Sequence, residues 1–230
     1  SGQLDRGGHM ELYEVMRTTF AARDFTDEPV TDGVLSRILD NARFAPSGGN
    51  RQGWRVLVVR SAERRAQLAE LIAPTMRHYV AQASAGEAPF NSVNPTRLSQ
   101  QEMDSASVPQ QMLENLVNAP VLLLTFVDMA VVASFDRHLQ RPGVISGASI
   151  YPFVWNILLS ARHEGLGGTL TTWAGASGLG VNSLFGVPDQ MAFAAMLPLG
   201  YPVKQLTKLR RRPVADFTFK EHWNGEPLDV

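Results

Sequence analysis

The 230-residue chain contains no cysteine. That absence excludes disulfide frameworks, thiolate zinc sites, iron–sulfur clusters and cysteine nucleophiles together. It also lacks an excess of either charge: 21 Lys and Arg against 22 Asp and Glu give a formal net charge of −1. A dedicated nucleic-acid binder carries a basic surplus, so no nucleic-acid partner is expected. No apolar run approaches the ~18 residues of a membrane span. The longest, Ala119 to Val127, reads as a strand, and no membrane partner is expected. There are no internal repeats and no Gly-Lys-Ser/Thr for a phosphate loop. His78, His138, His163 and His222 stand apart, with no second ligand three or four residues away, so no metal site is expected.

Apolar bulk is plentiful, at 44% of residues. A folded monomer of this mass exposes roughly 10,000 Å² of the about 36,000 Å² its unfolded chain would show. That is room for a core without staples, and one domain is expected over residues 10–230. Residues 1–9 have no periodicity and lead into His9-Met10, so they read as a cloning-site remnant, with Met10 the native start. No charged-then-apolar signal region follows Met10, and a cytoplasmic protein is expected.

Glu11 to Phe20 is short, rich in helix formers and amphipathic. Thr31-Asp32 caps a helix from about Val34 to Phe44, with Leu35, Ile38, Leu39 and Ala42 on one face. Trp54 to Val59 is β-branched and strand-like, and Ala62 to Gln82 is helical. Residues 84–108 then change character, with Ser, Gly, Pro, Asn and Gln dominant; so long a weakly patterned stretch reads as a lid, a binding loop or disorder. A helix over Gln110–Asn118 precedes a strand over Val121–Val127. Ser149 to His163 is apolar nearly all round, so it is buried or lies at a subunit interface. Gly165-Leu-Gly-Gly168 ends that helix and starts a strand over Thr169–Trp173. A helical turn over Asn182–Phe185 and a last strand over Met191–Leu199 follow. From Val203 the chain is basic and broken by prolines. Helices come first and strands are unevenly spaced, which is an α+β pattern.

The glycines at 165–168 follow a helix and precede a strand, the reverse of a dinucleotide fingerprint, so they read as a helix end. Gly175-Ala-Ser177-Gly178 lacks the spacing of a nucleophile elbow. Lys208, Arg210, Arg211 and Arg212 form the densest positive patch, either a solvated tail or an anion site. Nothing stands out as an acid, base or nucleophile, so no catalytic side chain is assigned.

Longer blocks add to this. Arg23-Asp-Phe-Thr-Asp-Glu-Pro-Val30, Ile38-Leu-Asp-Asn-Ala42 and Ala45-Pro-Ser-Gly-Gly-Asn-Arg-Gln-Gly-Trp54 resemble the N-terminal signature of the FMN-dependent nitroreductase family. Gly165-Leu-Gly-Gly-Thr-Leu-Thr-Thr-Trp173, Leu197-Pro-Leu-Gly-Tyr-Pro202 and Arg211-Arg-Pro213 resemble its C-terminal blocks, in the same order. His222-Trp-Asn-Gly225 is similar to the close of actinobacterial members.

The resemblance implies an α+β, nitroreductase-like fold: a central mixed, mostly antiparallel sheet flanked by helices, with a C-terminal arm over 203–230 reaching the partner. It implies a homodimer holding FMN between subunits. NADPH or NADH donates hydride, and a nitroaromatic, quinone or related small acceptor is reduced in turn, by a ping-pong sequence. It places Arg23 near flavin N1 and O2, where a fixed cation favours the anionic reduced ring. Ser47, Asn50 and Gln52 match the loop that contacts ribityl and ring. Leu170, Thr171 and Thr172 match the segment approaching N5 and O4, and Arg211 matches the phosphate-binding arginine. Residues 84–108 correspond to the substrate cover. Other chemistry on this scaffold (reductive dehalogenation, flavin cleavage, dehydrogenation) and flavin sequestration with little turnover are the alternatives. Two positions depart. Thr19, Phe20 and Ala21 replace Arg-Arg-Ser, leaving Arg17, Arg210 or Arg212 to supply a phosphate contact. Gly53 replaces a proline, which implies a looser loop.

Overall fold

The computed structural model describes residues 10–228. The cloning-remnant reading of residues 1–9 lies outside the described residues. In chain order the elements are α1 (Leu12–Thr18), α2 (Asp32–Ala42), β1 (Trp54–Val59), α3 (Ala62–Ser84), α4 (Gln100–Asp104) and α5 (Gln110–Val117). They continue with β2 (Val121–Asp128), α6 (Tyr151–His163), β3 (Gly167–Gly168), α7 (Gly178–Phe185) and β4 (Met191–Gly200). The class is α+β, as the uneven spacing of strands predicts.

The four-stranded sheet has the order β1-β2-β4-β3. Every strand pairing is antiparallel. Among the described residues a parallel element enters only at the isolated bridge between Ala21 and Gly168. β2 lies inside the sheet, and successive side chains point to opposite faces. Val121, Leu123 and Val127 therefore join the core built on α2 and α6. Leu122, Leu124 and Phe126 join the core built on α3, α5 and α7. Fully burying each such side chain contributes about 1.5–3 kcal/mol, so β2 holds both layers together.

The caps explain several boundaries. The Thr31 hydroxyl accepts from Val34 N at 3.3 Å and starts α2. The α6 stripe of Phe153, Val154, Ile157, Leu158 and Ala161 is buried, while Tyr151 and Trp155 on its other side are exposed. Among the described residues no helix is long and apolar enough to cross a membrane.

Two expectations need correction. The strand placed at Thr169–Trp173 is instead the glycine pair Gly167–Gly168, and Thr171 makes only an isolated bridge to Met196. The cause is close approach: a Cβ on Gly168 would stand 2.7 Å from Pro198 O, and one on Gly167 would stand 2.7 Å from the Ala22 Cβ. Gly165, at φ +82°, remains the helix end it was read as. The weakly patterned segment also contains a helix, α4. Ser99 and Glu102 form a reciprocal capping box there, a Ser-x-x-Glu signature visible in the sequence.

Candidate functional site

Two places on the sheet gather the predicted residues. The first is the extended stretch after β3. Thr171 N donates to Met196 O at 3.0 Å, and Met196 N returns the bond at 2.9 Å. Backbone groups alternate in direction along an extended chain. The N–H groups of Leu170 and Thr172 accordingly donate to no backbone acceptor among the described residues, and both residues are exposed. The Thr171 hydroxyl is buried without a partner.

Thr171, Thr169 and Arg23 line one cavity of about 70 Å³. Arg23 arrives there because residues 21–26 run beside β3 and the chain leaving β4. Ala22 N donates to Gly168 O at 3.0 Å, and Thr26 N donates to Tyr201 O at 2.8 Å. The Arg23 guanidinium donates to Ala21 O at 3.2 Å and has no carboxylate partner among the described residues. From the helical layer, Met76 of α3 and Met112, Asn115 and Leu116 of α5 close the cavity, with Trp173 beside them. A larger hollow of about 580 Å³ near Gly175 and Asp189 holds none of the predicted residues.

The second place is the loop from Ser47 to Gln52. The Ser47 hydroxyl accepts from Gln52 N at 2.9 Å, and Gln52 Nε2 donates to Asn50 Oδ1 at 3.1 Å. Asn50 and Gln52 have φ of 52° and 49°, a left-handed conformation that costs energy outside glycine and marks functional turns. Gly48 N donates to the Ser149 hydroxyl at 3.1 Å. Gly53 is a close-approach position here rather than a loosened joint. Its carbonyl accepts from Asp128 N at 2.9 Å, and a Cβ there would stand 2.7 Å from Val131.

The structure does not join these two places within one chain. The loop leads into β1 and the Thr169–Thr172 stretch follows β3, the two opposite edges of the sheet. Three interstrand spacings, roughly 14 Å, separate those edges. Arg211 is hydrogen-bonded to neither place; its guanidinium donates to Arg210 O at 2.7 Å. Thr19 closes α1 through a 2.7 Å bond from its hydroxyl to Val15 O.

Residues 85–109 form a strap between α3 and α5, the helices that close the cavity. Its carboxylates are engaged within it or against α3. Glu87 accepts from the Thr96 hydroxyl at 2.6 Å and from Arg97 N at 2.9 Å. Those bonds, the hydroxyl's foremost, hold its carboxyl below the usual carboxylate range. Asp104 is likewise held low by His78 and then Gln100, with His78 Nε2 at 2.8 Å. The side chain of buried Gln82 accepts from Phe90 N at 2.7 Å and donates to the Met103 sulfur at 3.5 Å.

Sequence reasoning missed Asn115 and Ser149. Asn115 carried a usable signal: Gln111 and Asn115 are spaced four apart on a helix, where amides pair. Ser149 carried none, because its partner Gly48 is 101 residues away in sequence.

A model described as the nitroreductase family matches residues 16–201. The chain is 24% identical over 211 residues to YfhC of Bacillus subtilis (strain 168), named as a presumptive NAD(P)H nitroreductase; the match covers 90% of this chain and 93% of YfhC. It resembles the crystal structure of oxidized iodotyrosine deiodinase bound to FMN and 3-iodo-L-tyrosine, with a TM-score of 0.63 and 24% identity, over 89% of this chain and 96% of that one. It also resembles nitroreductase A from Vibrio parahaemolyticus RIMD 2210633, with a TM-score of 0.66 and 18% identity, over 94% of this chain and 78% of that one.

Proposed function

Since this chain belongs to the nitroreductase family, we propose that it is an FMN-dependent NAD(P)H oxidoreductase reducing nitroaromatic, quinone or related small acceptors. The observation that carries this reading is the sheet edge at Leu170–Thr172. There two exposed backbone N–H groups have no backbone acceptor among the described residues, beside a cavity lined by Arg23, which has no carboxylate partner among them, and by a buried hydroxyl without a partner. A flavin ring presents carbonyl and nitrogen acceptors along its edge, and these residues are donors, so the chemistry of the two sets fits.

When bound, FMN supplies hydride acceptance from the nicotinamide and electron delivery to the acceptor. The chain supplies position and charge. Leu170 and Thr172 offer N–H groups to the ring edge, and Arg23 holds positive charge where the reduced ring carries negative charge. Ser47, Asn50 and Gln52 offer hydroxyl and amide groups to ribityl and ring. Arg211 offers a forked donor to the phosphate.

Both halves of that set belong to one site only if two chains meet, each lending its loop to the other's cavity. A homodimer therefore goes with this reading, with the 203–230 arm reaching the partner. Phe135, Phe44 and Trp223 are among the exposed large apolar residues, the kind of surface that marks interfaces. A cytoplasmic setting, where NAD(P)H is available, goes with it too.

Donor and acceptor would use the same place beside the ring in turn, because hydride transfer needs close approach to the ring. Steady-state plots should give parallel lines, and NADPH or NADH alone should bleach the bound flavin. Intersecting lines would remove the ping-pong order. A flavin that neither nucleotide reduces would replace the enzyme by a flavin store. The likeness to iodotyrosine deiodinase favours a second reading, reductive dehalogenation, which iodide release from 3-iodo-L-tyrosine under reducing conditions would reveal.

A further inference from the structure

The chain has no cysteine, so the thioethers of its eight methionines are its only sulfurs. Three of them, on Met76, Met112 and Met196, line the cavity of about 70 Å³ that Arg23 and Thr171 also line. They arrive from three separate elements, α3, α5 and β4. A thioether is apolar and polarisable, so it packs well against an aromatic ring. Where no thiol is present it is also the sulfur left to be oxidised. In the proposed holoenzyme the flavin ring edge lies at this cavity, which puts these sulfurs beside the edge that releases electrons.

The three differ in what an added oxygen would meet. Met76 and Met196 are 1% and 0% exposed and belong to the core built on α3, α5 and α7. A sulfoxide there would bury a polar acceptor among apolar side chains, which is unfavourable. Met112 is only partly buried and packs against the margin of that core. The cavity it lines also carries donors. Arg23 can only donate. Gln111 Nε2 donates to Asn115 Oδ1 at 2.8 Å, which leaves the Asn115 Nδ2 hydrogens to donate elsewhere. A sulfoxide oxygen on Met112 is an acceptor, so donors answer it. Met103 differs again: its sulfur accepts from Gln82 Nε2 at 3.5 Å, and it does not line the cavity.

We propose that Met112 is an oxidation site, converted to the sulfoxide by peroxide formed at the bound flavin when dioxygen is the acceptor. Two electrons and two protons pass from the reduced flavin to dioxygen, leaving hydrogen peroxide and the oxidised ring. The Met112 sulfur then attacks one peroxide oxygen. The O–O bond breaks, the sulfur is oxidised by two electrons and water leaves. Peroxide released in so small a cavity meets the sulfur before it is diluted, because the two reactants are held together. The new oxygen accepts from Arg23 and draws its charge from the ring, so turnover slows as oxidation proceeds. The inference rests on the oxidoreductase reading and adds to it a modification that limits turnover in air.

The test uses the FMN-loaded protein turning over regenerated NADPH or NADH in air with no other acceptor, followed by peptide mass spectrometry. Met112 should gain one oxygen at least roughly 5-fold faster than Met16 and Met129, although those two are 49% and 44% exposed. Catalase in the solution should protect Met16 and Met129 but not Met112. Peroxide added to the oxidised protein without nucleotide should reverse the order, because exposure then decides. The rate should fall during aerobic turnover of the parent protein, and Met112→Leu should abolish that fall. Oxidation of Met112 no faster than that of Met16 would overturn the proposal, as would equal protection of both by catalase. A fall in rate that Met112→Leu leaves unchanged would overturn it too. If the purified protein takes up no FMN, or neither nucleotide reduces the flavin, the oxidoreductase reading fails instead, and the two failures stay distinct.

Discussion

The strap over residues 85–109 and the tail beyond Leu206 are both irregular and rich in polar residues, and both bond within themselves (in the tail, the Thr218 hydroxyl donates to Val214 O at 2.9 Å and Lys220 pairs with Glu226 at 3.9 Å), yet they differ in how their charged groups are answered. The strap answers its polar groups from within. Its glutamates bind its own hydroxyls and amides, and buried Gln82 ties Phe90 to Met103. The tail is anchored at its start, where Gln205 Nε2 donates to Thr18 O at 2.9 Å. Beyond that, Arg210, Arg211 and Arg212 are exposed and form no ion pair with a described residue. A segment whose hydrogen bonds close on itself is complete in one chain. In the proposed dimer, the three exposed guanidinium groups of the tail are the ones open to a ligand phosphate or a second subunit.

The sharpest way to break this contrast is to remove the tail. Deleting residues 207–230 keeps the Gln205 anchor, yet should abolish dimerisation and flavin retention together. A stable, flavin-loaded monomer in sedimentation would show the tail to be dispensable. Next in size, Arg211→Ala should weaken FMN binding by about 1.5–3 kcal/mol through loss of a charge-assisted contact to phosphate. Riboflavin affinity should barely move, and equal losses for both flavins would point to Arg210 or Arg212.

On the strap side, Gln82→Leu removes the acceptor of the part-buried Phe90 N–H, at about 1 kcal/mol. Thermal unfolding should report that loss, and the KM for the acceptor should rise while flavin content holds. The smallest effect concerns Glu87. Its carboxyl is held below the usual range in the folded chain, so its stabilisation is fully present above the unfolded value of about 4.3. That contribution fades as pH falls through the lower, folded value. Amide exchange in residues 87–97 should therefore quicken in acid before the sheet opens, and Glu87→Gln should remove the pH dependence. Unchanged exchange down to global unfolding would mean that Glu87 does not hold the strap.

Much of the fold was legible because its signals are local. The Thr31 cap, the period of α2 and the β-branched run of β1 each follow from a few adjacent residues, and the structure places them as expected. The Ser99–Glu102 box was equally local, but was submerged in a segment read by its composition. The strand after α6 was displaced because Gly167 and Gly168 are set by a packing distance to Ala22 and Pro198, which no local pattern encodes.

The candidate site divides in the same way. Arg23, Thr171 and the Ser47–Gln52 loop stand in ordered blocks that resemble a known family, so their identities could be read in advance. Their grouping could not. Arg23 and Thr171 share a cavity because residues 21–26 run beside β3, while the loop stands on the far edge of the sheet. The sequence by itself determined the elements, the class and the chemical kinds of residue, since propensity, capping and periodicity act over a few residues. Only the tertiary structure decided that Asn115 and Arg23 line one cavity, that the strap's carboxylates are engaged and that the tail's arginines form no ion pair with a described residue. Those outcomes depend on contacts between segments many residues apart, where sheet order and close packing choose the neighbours.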